Sequence, residues 1–138
     1  MTRLDAAGRG WINLSPEAPD DAEGPGSGMF SFFSARGPAV PLCTWVAAHQ
    51  RRGNRRPAQL GIQHPTGTRT AARLDSLGRG VPTGWRVSQD HPRRGLVIDV
   101  ALDEPDAAVL AWLLDAGDAL CGVDVTGAWL ADVYDETA

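Results

Sequence analysis

The sequence predicts an α+β domain with the two-layer architecture of the ferredoxin-like plait, or split βαβ fold. This is an antiparallel sheet with two helices on one face, here with an extra N-terminal strand. From Gln59 onward the apolar residues follow β-like and helix-like periods in the order strand, helix, strand, strand, helix, strand, which is the element order of that plait. The length of 138 residues and the hydrophobic fraction of 43% suit a single core.

Composition divides the chain into a tail and a domain. Residues 1–38 are rich in Gly, Pro, Ser and Asp and include the run Gly-Pro-Gly-Ser-Gly at 24–28, which predicts a disordered N-terminal segment. Two short apolar motifs interrupt it, at 11–14 and 29–33. We expect both motifs to dock on the domain, which spans 39–138.

The first half of the domain begins with a β-rich run at 42–48, which predicts a strand. A polar loop follows at 49–57, and the alternation of Leu60 and Ile62 with small or polar neighbours predicts a second strand, hairpinned to the first. Ala71, Leu74 and Leu77 then recur every third position before a glycine, which predicts a short helix.

The second half contains the clearest helix of the chain. Residues 85–89 alternate and predict a strand, 90–95 form a turn, and 96–102 are the most β-like run. Asp103 is suited to cap the following helix, Gly122 to end it, and 123–134 predict one or two closing strands. The apolar stripe predicted for that helix comprises Leu110, Leu113, Leu114, Gly117 and Cys121.

Topology turns these elements into a spatial prediction. Right-handed crossovers give the plait strand order 4-1-3-2, so the strands at 59–63 and 85–89 run parallel on either side of the strand at 96–102. Their ends therefore meet at one edge of the sheet, which brings His64 close to the segment 89–91. By alternation, His64 shares the inward face of Ile62, and Gln89 and His91 share that of Val87.

This edge is the candidate ligand site. Helix N-terminal amides, hydroxyl groups and arginine forks are what an anion such as a phosphate or a carboxylate requires. The alternative is that these residues only stabilise chain reversals, since Gln-His-Pro and Asp-His-Pro are good turn sequences. The predicted ligand-binding residues are His64, Thr66, Thr68, Gln89, His91, Arg93 and Arg94.

The histidines of this edge could support two more specific kinds of chemistry and the cysteines a third, and all three rank below simple binding. His64, His91 and Asp90 could hold a metal ion, although an extended strand places Asp90 on the face opposite His91. Either histidine could act in acid–base catalysis, but no partner group is specified beside it. Cys43 and Cys121 are expected to be buried, inert free thiols rather than nucleophiles. No sequence motif specifies a cofactor or a set of metal ligands.

Charge is distributed unevenly along the chain. Between residues 39 and 94 there are ten arginines and two aspartates, a balance of +8, whereas residues 95–138 hold ten acids and no base. Arg51, Arg52, Arg55 and Arg56 could engage nucleic-acid phosphates from their loop. Against this alternative stand the acidic half, the pI of about 5.2 and the lack of an RNP-type aromatic pattern.

The remaining sequence features bear on the location of the protein and on the kind of partner that it binds. No apolar run is long enough to span a membrane and no secretory leader precedes the domain, so we expect a cytoplasmic protein. Two cysteines 78 positions apart specify neither a disulfide framework nor a zinc site. We therefore favour a binding or interaction module over an enzyme, with a small anionic ligand or a protein as its partner. Homodimerisation through the open sheet face is compatible with this interpretation.

Overall fold

The computed structural model describes residues 1–19, 40–64 and 69–135. Six of the strands in that part of the chain form an antiparallel sheet in the order β6-β7-β5-β2-β1-β8, and β3 and β4 form a separate hairpin. The fold is therefore α+β. Its elements are α1 (Thr2–Ala7), β1 (Trp11–Pro16), β2 (Leu42–Val46), β3 (His49–Arg51), β4 (Asn54–Arg56), β5 (Gln59–Gln63), α2 (Thr70–Ser76), β6 (Arg86–His91), β7 (Gly95–Asp99), α3 (Asp106–Leu120) and β8 (Trp129–Tyr134).

The ferredoxin-like plait is not confirmed, because the closing strand lies elsewhere. As predicted, β5 and β6 are both antiparallel to β7 and lie on either side of it. In the plait, β8 would pair with the free side of β5. That side is taken by β2, the preceding strand of the same hairpin, and β1 pairs with β2 in turn. Only the outer side of β1 is left for β8.

The prediction of disorder does not hold for residues 2–16, which form α1 and the interior strand β1. Ile12 and Leu14 alternate with Trp11 and Asn13, and the first pair is buried in the core together with Leu4 of α1. The motif at 11–14 thus docks as a full strand with a partner on each side. The Gly/Pro-rich run, the motif at 29–33 and the predicted domain boundary lie outside the described residues.

The two longer helices pack on one face of the six-stranded sheet. Alternation places the apolar side chains of the central strands on this core face, where Leu74 of α2 and Leu113 of α3 join them. The core side chains of β2, β5 and β7 are Cys43, Trp45, Leu60, Ile62, Leu96 and Ile98. The opposite face, called the open face below, is covered by none of the described helices. None of these helices is long and apolar enough to cross a membrane.

Helix α3 buries a different stripe from the predicted one. It begins at Asp106 rather than near Asp103, and its buried residues are Val109, Leu113, Ala116, Gly117 and Leu120. The small residues face the sheet because the helix approaches it closely: a Cβ at Gly117 would lie 2.6 Å from Trp129 and 3.0 Å from the Cys43 sulfur. Cys121 follows the helix and is only half-buried, so the expectation of two buried thiols was wrong for this one.

The hairpin of β3 and β4 extends the β2–β5 pair beyond the sheet. Arg52 and Gly53 at its tip both have positive φ, 52° and 80°, as a two-residue turn of the type favoured in hairpins requires. All residues from 51 to 56 are exposed. The predicted loop at 49–57 is therefore a short ribbon that carries four arginines into solvent.

Candidate functional site

The edge where β5 and β6 end brings His64 and Asp90 together through Thr70. The Nε2 atom of His64 is in hydrogen-bonding contact with the Thr70 hydroxyl oxygen. The Thr70 amide donates to Asp90 Oδ1 at 2.9 Å, so this carboxylate accepts an otherwise unpaired N–H at the start of α2. The first turn of α2 is thereby fixed to the edge of the sheet.

The chemistry of this cluster is that of a buried structural network. Burial lowers the pKa of His64 below its ordinary value of 6.5, and the negative charge of Asp90 opposes that shift. An imidazole beside a hydroxyl is the arrangement that activates a nucleophile. The Thr70 side chain, however, has 0% of its surface exposed, so no substrate can reach its oxygen in this conformation.

A β-bulge in β6 reverses the predicted directions of Gln89 and His91. Val87 pairs with Ile98, but Gln89 pairs with Val97, and the extra residue between them is Ser88. Strict alternation beyond Val87 was therefore the wrong assumption. Asp90, not His91, shares the core face with His64 at this edge.

Gln89 and His91 instead stabilise the turn between β6 and β7. His91 Nδ1 accepts the amide hydrogens of Arg93 and Arg94 at 3.1 and 3.3 Å. The Gln89 side chain donates to the carbonyls of Arg94 and Gly95 at 3.2 and 3.4 Å. These contacts match the turn-forming alternative. Both arginine side chains extend into solvent.

The predicted anion site is therefore not assembled from its described members, which lie on both faces of the sheet. Thr66 and Thr68 lie outside the described residues. Among the residues that the structure describes, no three His, Cys, Asp or Glu side chains are grouped so that they could hold a metal ion.

The structure groups a different set of basic residues. A groove of about 360 Å³ opens between the β3–β4 hairpin and the open face at the ends of β5, β6 and β7. This volume falls within the ~300–1,000 Å³ typical of ligand sites. The residues that line this arginine groove are His49, Arg51, Arg56, Pro57, Gln59, Arg86, Ser88 and Asp99.

The floor of the arginine groove is a hydrogen-bonded carboxylate. Asp99 receives a hydrogen bond of 2.8 Å from Gln59 Nε2 and forms an ion pair with Arg86, whose Nε lies 3.1 Å from Oδ2. Burial raises the pKa of Asp99, but these two partners and the nearby Arg56 outweigh it and lower the pKa below its ordinary value. The ionised carboxylate thus holds Arg86 across the groove, where 77% of its side chain stays exposed.

The groove retains excess positive charge. Three guanidinium groups face one carboxylate, and Asp99 is already bound by Arg86. Arg51 and Arg56 are exposed, and neither forms an ion pair with a described acidic residue. Planar guanidinium groups with free donors can bind a phosphate or a carboxylate through two parallel hydrogen bonds.

Much of the acidic half of the chain lies away from this groove, around α3 on the core side. Asp106 accepts a hydrogen bond from Thr2, Glu104 accepts one from the Trp85 indole, and Asp115 pairs with Arg79. The fold therefore separates these acids from the basic groove instead of placing them beside it.

A second cavity, of about 460 Å³, lies on the other side of the hairpin beside α1. It holds one arginine, Arg55, and one carboxylate, Asp5, which accepts the Ala48 amide at 3.2 Å. Its charges balance, so it offers an anion less than the arginine groove does.

Sequence reasoning selected the hairpin arginines but missed Arg86 and Asp99. The available signal was the short connection between β6 and β7, which places these two residues opposite each other in an antiparallel pair.

Comparison with known proteins identifies no relative of this chain. No family model, no curated protein and no solved structure matches it.

Proposed function

We propose that this protein is a binding module whose arginine groove accepts a phosphate-bearing anion. The observation that carries the proposal is the convergence of Arg51, Arg56 and Arg86 on one groove that contains a single carboxylate. The expectation of an anionic ligand is kept, and its site moves from the His64/His91 edge to this groove. The reason is that the side chains of His64, Gln89 and His91 already have partners within the fold.

Pre-organisation supports this choice. Arg86 is held by Asp99, which Gln59 holds in turn, so this guanidinium loses less freedom when a ligand binds. Arg51 and Arg56 project from paired strands of the hairpin rather than from an irregular loop. A ligand that bridges the hairpin and the sheet would thus meet donors from two sides.

Titration calorimetry with inorganic pyrophosphate tests the proposal. The double variant Arg51→Gln/Arg56→Gln removes two groove charges from the exposed hairpin and should leave the fold intact. A hydrogen bond to a charged group contributes about 1.5–3 kcal/mol, so this variant should bind pyrophosphate at least tenfold more weakly.

The matched control is Arg93→Gln/Arg94→Gln, which removes the same charge from the exposed β6–β7 turn. It should retain affinity within about twofold. Equal weakening in both double variants would mean that net charge alone attracts the anion. Weakening in the control alone would return the site to the predicted edge. Either result overturns the groove assignment, as does the absence of pyrophosphate binding by the wild-type protein.

A further inference from the structure

The arginine groove lies at one end of a row of side chains that crosses the whole open face. In each strand pair of the sheet, the partners in this row are directly opposite each other. Side chains in register on alternate positions point to the same face. The row runs from β8 to β6 through Tyr134, Trp11, Val46, Gln59, Asp99 and Arg86.

The other end of the row is aromatic. The rings of Trp11 and Tyr134 are stacked, with centroids 4.9 Å apart and planes 13° from parallel. Because these two residues are directly opposite each other on neighbouring strands, the stack bridges β1 and β8. The next residue of the row after Trp11 is Val46, which has a small side chain, and the groove lies beyond it.

A nucleobase that extends the stack past Trp11 would lie above Val46, the next residue of the row. Trp11 and Arg86 are four strand spacings apart, ~19 Å, a span suited to a few nucleotides. Single-strand binders combine these two elements, a basic groove that follows the backbone and aromatic rings that stack on bases.

The centre of the open face is flat and polar. Gly61 lacks a side chain, and a Cβ there would touch only Thr44, at 3.8 Å. Thr44 donates a hydrogen bond of 2.9 Å to Asn13, and Gln63 is exposed beside them. The centre of the face therefore offers hydrogen-bonding groups to a partner.

Acidic residues define the limit of the path. Asp132 shares the open face of β8 with Tyr134 and lies opposite Asn13, and Asp135, which pairs with Arg9 at 3.8 Å, follows Tyr134. These carboxylates disfavour a polyanion along β8, so the path runs inward from the aromatic pair to the groove.

From this juxtaposition we infer that the open face binds single-stranded nucleic acid, with its phosphates in the arginine groove and its bases stacked against Trp11. The inference rests on the proposed function and specifies its ligand class. A single strand is required because the bases of a duplex are stacked on one another and offer no free face to the Trp11 ring. The β3–β4 ribbon alone could enter the major groove of a duplex, and that mode would not need Trp11.

Fluorescence anisotropy with labelled dodecamers tests the inference. The probes are (dT)12, (rU)12, an abasic dodecamer with the same number of phosphates, and a 12-base-pair duplex. Stacking contributes ~1–3 kcal/mol per base, equivalent to about 5- to 150-fold in affinity. The thymine or uracil strand should therefore bind at least fivefold more tightly than the abasic strand, and the duplex should not bind more tightly than either.

Three variants locate the contacts. Trp11→Leu should remove the preference for (dT)12 over the abasic strand, while Leu130→Ala, on the open face of β8 away from the row, should keep it. Arg51→Gln/Arg56→Gln should weaken both strands. The wild-type comparison with the abasic strand stands on its own if Trp11→Leu does not fold.

The outcomes separate the two proposals. If the abasic strand binds wild type as tightly as (dT)12 and (rU)12, base stacking is wrong, and if the duplex binds more tightly than (dT)12 and (rU)12, the single-strand assignment is wrong. In either case the groove assignment survives provided that the arginine variant still loses pyrophosphate. If wild type binds neither pyrophosphate nor any dodecamer, both proposals fail. A preference for (dT)12 that Trp11→Leu leaves unchanged also overturns the inference.

Discussion

Acidification from pH 7.5 to 5.5 is expected to destabilise this protein through His64. The pKa of this buried imidazole is lowered from its ordinary value of 6.5, chiefly by burial. Below that value the unfolded chain binds a proton that the folded protein resists, so the stability present above pH 6.5 is lost as the pH falls. If His64 stays neutral when folded, the loss reaches its limit of about 1.4 kcal/mol at pH 5.5.

The assay is thermal or urea unfolding at both pH values for wild type and His64→Gln. A glutamine amide can still bond the Thr70 hydroxyl but does not titrate, so this variant should lose less stability on acidification. For a chain of this length the difference corresponds to a midpoint change of up to about 6 °C. His49 and His91 remain in both proteins, so their contributions cancel in the comparison.

A second control is Asp90→Asn, which removes the charge that opposes the His64 shift. The pKa of His64 should then fall further and the acid sensitivity should increase or stay at its limit. The reasoning is refuted if wild type and His64→Gln respond identically to pH, or if wild type becomes more stable between pH 7.5 and 5.5.

Three further predictions follow from the packing. Gly95→Ala should cost about 2–4 kcal/mol in urea unfolding, because φ is +79° and the new Cβ would lie 2.3 Å from the Ile62 carbonyl oxygen. Gly53→Ala, with φ +80° and nothing within 4 Å, should cost only about 1–2 kcal/mol, and equal losses would contradict this account. Asp90→Ala should lower stability by about 1 kcal/mol by removing the acceptor of the first α2 amide, an effect that the Asn variant largely avoids. Burial raises the pKa of Cys43 to about 12, so mass spectrometry after native iodoacetamide treatment at pH 8 should show at most one labelled thiol, and two would refute its protection.

The elements that could be predicted were those whose signal is local. The alternation of Leu60 with Ile62 and the apolar spacing in 106–120 identified β5 and α3 within a few residues of their observed bounds. By contrast, β1 was not predicted from the composition of the N-terminal segment, because a strand of six residues is a weak signal beside a long Gly/Pro-rich run. Its place in the sheet depends on β2 and β8, which are far from it in sequence.

The residues of the candidate site could likewise be predicted only in part. The charge of the hairpin was visible in Arg51 and Arg56, but the third guanidinium came from β6, about thirty positions later. The bulge at Ser88 also could not be predicted, because it depends on how β6 fits against β7 and the twist of the sheet. One inserted residue was enough to move His91 away from His64.

By itself, the sequence determined the α+β class, the long helix and the basic hairpin, and it also determined that β5 and β6 run parallel on either side of β7. These features could be predicted because periodicity, charge and crossover handedness are properties of single segments or of short connections. Only the tertiary structure decided that β1 and β2 separate β5 from β8, that His64 contacts Thr70, and that Arg86 joins the groove. The physical reason is that strand neighbours and cross-strand partners are selected by non-local pairing and burial, which no single segment encodes.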